Sequence, residues 1–490
     1  MNKLLENLNI DYLLVNSTNE YLVEYSLLEE NARYKLTGFS GSTGDALVTR
    51  DKIYLFVDGR YHIQAENEIY SNVTLVKLKV GENQDDEIKK LIDSNKVLGI
   101  VAKKVSQSRL EKFSDFNVKL LMEDPINNYT YIHSRTYEQA MPEVLFSEDK
   151  PRYVTNLEEI SYVTGLRNFS QDYTSKIWGK LFIDGDNKKL FTTNEDAEKF
   201  LKNFQGELYV DKNSINAYEY LLIKNPIHKI SPINEIKSVK TDLELDIYKQ
   251  AFEATDRTMF AIRDFIEQND NISEFDIEQK LREEFYKFGA KNLSFKPIVA
   301  INKNSALAHY SQNSKDVKLK NGDIVLIDCG AYYEHGYATD ITRVFVKGCP
   351  TYLQKTVYTT VLKAFLNAYN SQLKTGYEID NLVHSILDDA IDGFSFNHGL
   401  GHGIGINVHE APPSLSRGMI AQQTITNNMT FTIEPGLYNS EYFGIRLENS
   451  CYKQNDKIHS FAKMGFEKKL IDFTLFTEQE KIWLEDFNIL

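Results

Sequence analysis

Residues 398–410 read His398-Gly-Leu-Gly-His402-Gly-Ile-Gly-Ile-Asn-Val-His409-Glu410, three imidazoles set among alternating glycines. One histidine alone is more often structural than functional. Three in so short a run, interleaved with Gly399, Gly401, Gly403 and Gly405, are harder to explain that way. The glycines do not make a dinucleotide loop, because the alternation lacks the GxGxxG spacing and no strand-helix-strand unit surrounds it. On either side lie four acidic residues in strand-like or glycine-rich phrases, Asp328 and Asp340 upstream and Glu434 and Glu448 downstream. Four carboxylates and one imidazole suit a pair of hard or borderline divalent cations that share oxygen ligands. The four negative charges would cancel those of two such ions, so the centre could be buried. The set reads as that of a metallohydrolase.

Each acidic residue has a bland reading beside the functional one. Asp323-Ile-Val-Leu-Ile-Asp328 and Tyr337-Ala-Thr-Asp340-Ile-Thr-Arg-Val-Phe345 read as two arms of a hairpin around Tyr332–Gly336. In the first arm Ile324, Leu326 and Asp328 share a face by the two-residue strand period. An acid ending an apolar strand face is costly unless it is paired or metal-bound, although Asp also caps turns. In Met429-Thr-Phe-Thr-Ile-Glu434, Phe431 and Ile433 point away from Thr432 and Glu434. In Phe443-Gly-Ile-Arg-Leu-Glu448, Ile445 and Leu447 oppose Arg446 and Glu448. For either strand alone, a solvated sheet face is the simpler account. Pro435-Gly436 ends the first of these strands sharply and would hold Glu434 at a rim. His309, in Asn304-Ser-Ala-Leu-Ala-His309-Tyr310, reads equally as a surface-loop histidine.

Composition narrows the class. A chain of 490 residues exceeds the size at which one core keeps growing, so two or three domains are expected. The net charge of −14 excludes a broad basic nucleic-acid surface. Cys329, Cys349 and Cys451 form neither an even framework nor a CxxC pair, which fits a reducing compartment. Glu6 and Asp11 interrupt the apolar N-terminus before a signal core forms, and no run approaches the roughly 18 apolar residues of a membrane span. A cytoplasmic protein without membrane attachment is expected.

Along the chain, Asp11-Tyr-Leu-Leu-Val-Asn16 and Ile53-Tyr-Leu-Phe-Val-Asp58 read as buried strands, with Thr37–Gly44 a tight turn between them. A second α/β block begins near Pro151, with strands at 153–155, 189–193 and 207–211, and reads as a degenerate copy of the first. Near 238 the texture changes. Thr241-Asp-Leu-Glu244 is a capping box opening a long helix whose stripe is Ile247, Ala251, Ala254 and Phe265. A second helix from about Ser273 carries Ile277, Leu281, Phe285 and Phe288 and stops at Gly289. Beyond it the ligand phrases accompany strand-like segments alone, so this part reads as an antiparallel sheet with helices against it, an α+β domain.

Several phrases carry a specific resemblance. SFKPIVA (294–300), NSALAHY (304–310), DCGAYYEHGYATDITR (328–343), HGLGHGIG (398–405), FTIEPGLY (431–438) and GIRLEN (444–449) resemble the pita-bread metallopeptidases of family M24, and among them the three-domain Xaa-Pro aminopeptidases. GFSGSTG (38–44) and LFVDGRYHIQA (55–65) are similar to that family's amino-terminal domain, VTNLEEISYVTGLR (154–167) to its middle domain, and LIDFTLFTEQEKIWL (470–484) to its tail. The resemblance implies creatinase-like α/β domains at 1–145 and 146–237, followed by a pita-bread catalytic domain at 238–490. It implies an aminopeptidase that cleaves before a penultimate proline with a hydroxide bridging two divalent ions. Mn²⁺ is favoured, with Co²⁺ or Zn²⁺ as alternatives.

Carried over by motif, Asp328 would chelate one ion, Asp340 and Glu448 would bridge both, and His402 and Glu434 would complete the second. Glu434 would also shuttle a proton. His309, His398 and His409 would contact the substrate carbonyl, the developing oxyanion and the substrate backbone, and Arg446 would orient a metal ligand from behind. A homodimer and peptide substrates with proline second are implied as partners. Two spacings depart from the family's commonest pattern. Asp328 and Asp340 are one residue further apart, and the interval from His402 to His409 is that of the shorter enzymes.

Competing readings are a prolidase restricted to Xaa-Pro dipeptides, a metal-free creatinase and a non-catalytic binding relative. The amino-terminal phrases weigh against the first, and the intact ligand set weighs against the other two. A simple methionine aminopeptidase would not need so long a stretch before its catalytic domain.

Overall fold

The capping box at Thr241 is formed: its hydroxyl accepts from the Glu244 amide while the Glu244 carboxylate accepts from the Thr241 amide, and the helix runs over Asp242–Gln268. A second box at Ser273 and Asp276 opens the helix Glu274–Lys287, after which Gly289 adopts a left-handed φ of +92°. These elements belong to a computed structural model that describes residues 2–79, 81–127, 129, 134 and 136–490. The buried stripe of the first helix is Ile247, Tyr248, Ala251, Phe252, Thr255, Met259, Ile262 and Ile266. Ala254 and Phe265, expected on that stripe, are only half-buried; a straight helix turns 100° per residue and carries them to the stripe's edge.

The chain divides into two compact units. One comprises Met1–Arg135, Pro142–Gly165 and Ile177–Pro232; the other comprises Thr136–Met141, Leu166–Lys176 and Ile233–Leu490. Within the first unit, a six-stranded mixed sheet places Tyr12–Val15 between Asp45–Val48 and Val97–Val101. Ile53–Val57, expected as a strand, pairs with Asp45–Val48. In the same unit a separate five-stranded mixed sheet centres on Arg152–Val154.

The second unit is built on an eight-stranded antiparallel sheet. Its order is Ile298–Ile301, Ile324–Cys329, Ile341–Val346, Glu448–Gln454, Thr430–Ile433, Gly401–Gly403 and Glu410–Leu415, with Lys457–Ser460 pairing Glu448–Gln454 off that path. Two helices, Tyr352–Tyr369 and Gly376–Leu387, interrupt the run of strands expected after Gly289. Their capping boxes, Thr351 with Gln354 and Thr375 with Glu378, stand in the sequence. Val357, Val361, Leu362 and Phe365 from the first of them join Leu326, Val344, Phe431 and Ile433 in one buried cluster. The expected arms at 323–328 and 337–345 do pair, but the second begins at Ile341, leaving Asp340 one residue ahead of the strand. The expected single strand at 443–448 is two. Gly444–Arg446 pairs with Gly436–Tyr438, and after Leu447 the chain changes partners and enters the large sheet. Among the described residues no helix is long and apolar enough to cross a membrane.

Candidate metal centre

Strand register assembles the carboxylates. Asp328 lies opposite Thr342, and Thr342 opposite Glu448. Directly opposed residues on antiparallel strands share a face, so these three form one row across three strands. Asp340, two residues before Thr342, continues the same side. Ile433 pairs with Asn449, which brings the next residue, Glu434, alongside Glu448. The Glu434 amide donates to the Leu400 carbonyl at 2.8 Å and the His402 amide to Thr432 Oγ1 at 3.1 Å, fixing the imidazole strand beside these glutamates. The glycines of that strand serve close approach. A Cβ on Gly401 would stand 2.0 Å from the Thr432 carbonyl oxygen, and one on Gly403 2.4 Å from that of Glu410.

Asp340, His402 and Glu448 place ligand atoms within 4.8 Å of one another. His402 Nε2 is 3.6 Å from Asp340 Oδ2 and 3.6 Å from Glu434 Oε1. Its Nδ1 lies 3.0 Å from the Gly403 carbonyl, an acceptor that would keep the proton on Nδ1 and leave Nε2 for a metal. Asp328 joins through Arg446, whose Nη2 donates to Asp328 Oδ2. Arg446 Nε donates to Thr342 Oγ1 at 3.2 Å and lies 4.0 Å from Glu434 Oε2, and the Thr342 hydroxyl donates to Glu448 Oε2 at 2.7 Å.

The cluster is short of positive charge. Asp328 Oδ1 and Asp340 Oδ1 are buried without a hydrogen-bond partner, a state that costs free energy unless a cation fills it. Burial, then Glu448, Asp328 and Glu434, pushes the Asp340 carboxyl well above its usual range. Burial and then Asp328 raise Glu448 to about 8. Burial opposes the charge of Arg446, yet Tyr438, Asp328 and Glu434 outweigh it and hold the guanidinium charged. One arginine cannot neutralise four carboxylates. Two divalent ions would, and an oxygen-rich donor set with one imidazole is what such ions take.

The three remaining histidines are placed differently. The His409 ring packs edge-on against that of His402, centroids 4.3 Å apart. His398 Nε2 is 2.8 Å from the Tyr438 hydroxyl, which accepts from Arg446 Nη1 at 2.9 Å. His309 is half-buried on the turn after the short helix Asn302–Ala306, which is tied to Gly444 through Ser305. Tyr438 and Thr342 stand outside the site residues expected from the sequence. Both act by hydroxyls whose partners come from other strands, and the only cue is the position of Thr342 two residues after Asp340. Phe443 is buried against Phe394, and Tyr442 beside it is exposed.

Comparison with known proteins matches residues 246–453 to the model of Metallopeptidase family M24 and residues 1–120 to that of the Creatinase/Prolidase N-terminal domain. A Coprinopsis cinerea protein named probable Xaa-Pro aminopeptidase P is 26% identical over 100% of this chain and 93% of that relative. Xaa-Pro aminopeptidase 1 of Dictyostelium discoideum is 28% identical over 97% of this chain and 88% of its own. The crystal structure of an X-prolyl aminopeptidase from Caenorhabditis elegans, described as a cytosolic enzyme with a di-nuclear active site, aligns with a TM-score of 0.89 at 20% identity. That alignment covers 97% of this chain and 90% of the other, and is a likeness of fold.

Proposed function

We propose that the chain is a metal-dependent aminopeptidase of metallopeptidase family M24 that hydrolyses the bond between an N-terminal residue and a penultimate proline. The observation that carries this is the buried row of Asp328, Thr342 and Glu448 with Asp340, Glu434 and His402 beside it, two of whose carboxylate oxygens have no partner. The relatives' names and near-complete coverage support the substrate class.

Asp328, Asp340, His402, Glu434 and Glu448 would hold two divalent ions, Mn²⁺ by preference, with Co²⁺ or Zn²⁺ compatible. Bound there, such ions act as Lewis acids and bring the ionisation of a water into the neutral range. Proline carries no amide N–H and fixes its own φ, so cleavage before it needs a proton delivered to a tertiary imino nitrogen. Glu434 stands between His402 and Arg446 and is the group to take up and hand on that proton. His398, held by Tyr438, and His409, against His402, donate to the substrate carbonyl and backbone, with His309 alongside. Arg446 keeps Asp328 in place. The acidic cluster attracts the free α-amino group, which limits cleavage to one residue at a time.

The separate six- and five-stranded sheets support a division at 1–145, 146–237 and 238–490. A cytoplasmic homodimer is part of the same reading. Sedimentation at micromolar concentration should give about twice 56.5 kDa, and a monomer would overturn that part. Product analysis tests the activity on an Arg-Pro-Pro peptide, the same peptide with Ala second, its N-acetylated form and an Xaa-Pro dipeptide. Release of the first residue from the Arg-Pro-Pro peptide, with the dipeptide much poorer, is expected. Equal cleavage of the Ala peptide, or any cleavage of the acetylated one, refutes the assignment, and preference for the dipeptide makes it a prolidase.

A further inference from the structure

Next to His409 lies a buried path of charged and amide groups that the reaction above does not use. Lys237, 2% exposed, donates to Glu410 Oε2 at 2.8 Å, and Lys240 stands 3.9 Å from the same oxygen. Glu410 Oε1 accepts from the Asn407 amide at 3.0 Å. The Asn407 side chain donates to the His409 carbonyl at 2.8 Å and accepts from Lys176 Nζ at 2.8 Å. A Cβ on Gly405 would stand 2.1 Å from Glu410 Oε2, so a glycine there leaves room for the carboxylate. The carbonyls just before are also taken. That of Ile404 accepts from the Tyr248 hydroxyl, that of Gly405 from the Ala338 amide, and that of Ile406 from Ser175 Oγ.

A buried ion pair is a weak source of stability, because apolar side chains of similar volume often do as well or better. A satisfied buried network does rigidify what it touches. Burial works against the charge of Glu410, but Lys237 and Lys240 outweigh it and hold the carboxyl at about 2, so the pair is ionised across the working pH range. Its restraint is directed at the backbone of residues 407–409. The ring on that backbone packs 4.3 Å from a residue of the metal set.

We propose that Lys237 and Glu410 are a positioning pair for His409: Lys237 holds the Glu410 carboxylate, Glu410 holds the Asn407 amide, and Asn407 fixes the backbone from which His409 meets the substrate. This rests on His409 being a substrate-contacting group of the proposed aminopeptidase. Displacing such a group by about 1 Å can cost up to roughly a hundredfold in rate.

The experiment uses the full chain loaded with Mn²⁺. Lys237→Met removes the cation, and Lys237→Met with Glu410→Gln removes the pair without leaving a bare carboxylate; each is made with and without His409→Ala. Lys180→Met, which breaks the buried Lys180–Glu219 pair of the other unit, is the control for simple destabilisation. Metal content, melting temperature, kcat, KM on the Arg-Pro-Pro peptide and amide hydrogen exchange are read for each. The expected result is full metal content, a ten- to hundredfold loss of kcat/KM that disappears in the His409→Ala background, and faster exchange confined to 404–410. Lys180→Met should lower the melting temperature with kcat/KM unchanged. Unaltered kcat/KM in metal-loaded Lys237 variants, or an equal loss with and without His409, overturns the proposal. If neither Lys237 variant folds, Asn407→Ala, which keeps both charges, must show the same His409-dependent loss, and its absence counts equally against the pair. A wild type inactive on the peptide refutes the aminopeptidase reading, and with it His409's substrate role and this pair's proposed purpose. Exchange at 404–410 then shows separately whether the pair holds the segment.

Discussion

Glu434 is the residue with the most to lose from a single atom. On the proposed reading, Glu434→Gln removes a ligand charge and the proton carrier together. Turnover should fall by about 10²–10⁴-fold, with weaker metal retention measured on the same sample. Arg446→Met would strand Asp328 Oδ2 as a second partnerless buried oxygen beside Oδ1. The expected loss in metal affinity is about 10- to 100-fold, read by titrating metal into the stripped protein; unchanged affinity would remove Arg446 from the site. His309→Ala should keep both metals and lower kcat. A variant that instead loses metal would show that His309 had been assigned to the wrong task. At this scale the sequence was legible at Asp328, because an acid ending an apolar strand face is costly without a counter-charge, whereas Glu448 read alone as part of a solvated face. It was silent about Thr342 and Tyr438, since a hydroxyl is unremarkable until its partners on other strands are known.

Among elements, the Gly401–Gly403 strand is the least tolerant. Gly401→Ala drives a methyl into the Thr432 carbonyl 2.0 Å away, where backbone rather than a flexible side chain must yield. The strand carrying His402 should part from its neighbour, at a cost of about 1–3 kcal/mol or more. Melting temperature and metal content should therefore fall together, and loss of neither would mean that the strands move apart freely. Glycine alternation announced close approach in the sequence without saying what approaches. The helices Tyr352–Tyr369 and Gly376–Leu387 lie where strands alone were expected, because strand-like ligand phrases flank them on both sides, although their capping boxes stand plainly in the sequence. The break at Leu447 had no local signal. Ile445 and Leu447 keep a perfect two-residue alternation through it, and only the choice of partner strand changes.

For the whole molecule, the charge balance of the site links metal, pH and stability. A carboxyl whose folded pKa is raised stays protonated in the folded chain at a pH where the unfolded chain has released its proton. Stability of metal-free protein should therefore fall as pH rises from about 4.5, the ordinary value for Glu448, towards about 8. Asp340 adds in the same direction. Bound cations cancel that penalty, so chelation should abolish turnover and lower the melting temperature more at about pH 8 than at about pH 5. Mn²⁺ should restore both, and a chelator effect independent of pH would contradict the charge balance. The antiparallel architecture of the large sheet followed from its strand-like segments, whereas the assignment of Thr136–Met141 and Leu166–Lys176 to the second unit depends on distant contacts that no local pattern records. The partner switch at Pro435 and Leu447 has a bearing on ancestry. Glu434 and Glu448 are both anchored by the large sheet, while the ribbon between them, Gly436–Tyr438 and Gly444–Arg446 with its tip, forms a two-stranded sheet of its own. Residues 439–443 at that tip can then lengthen or shorten over generations without moving either glutamate. A search pattern that fixes the interval between the two would pass over true kin.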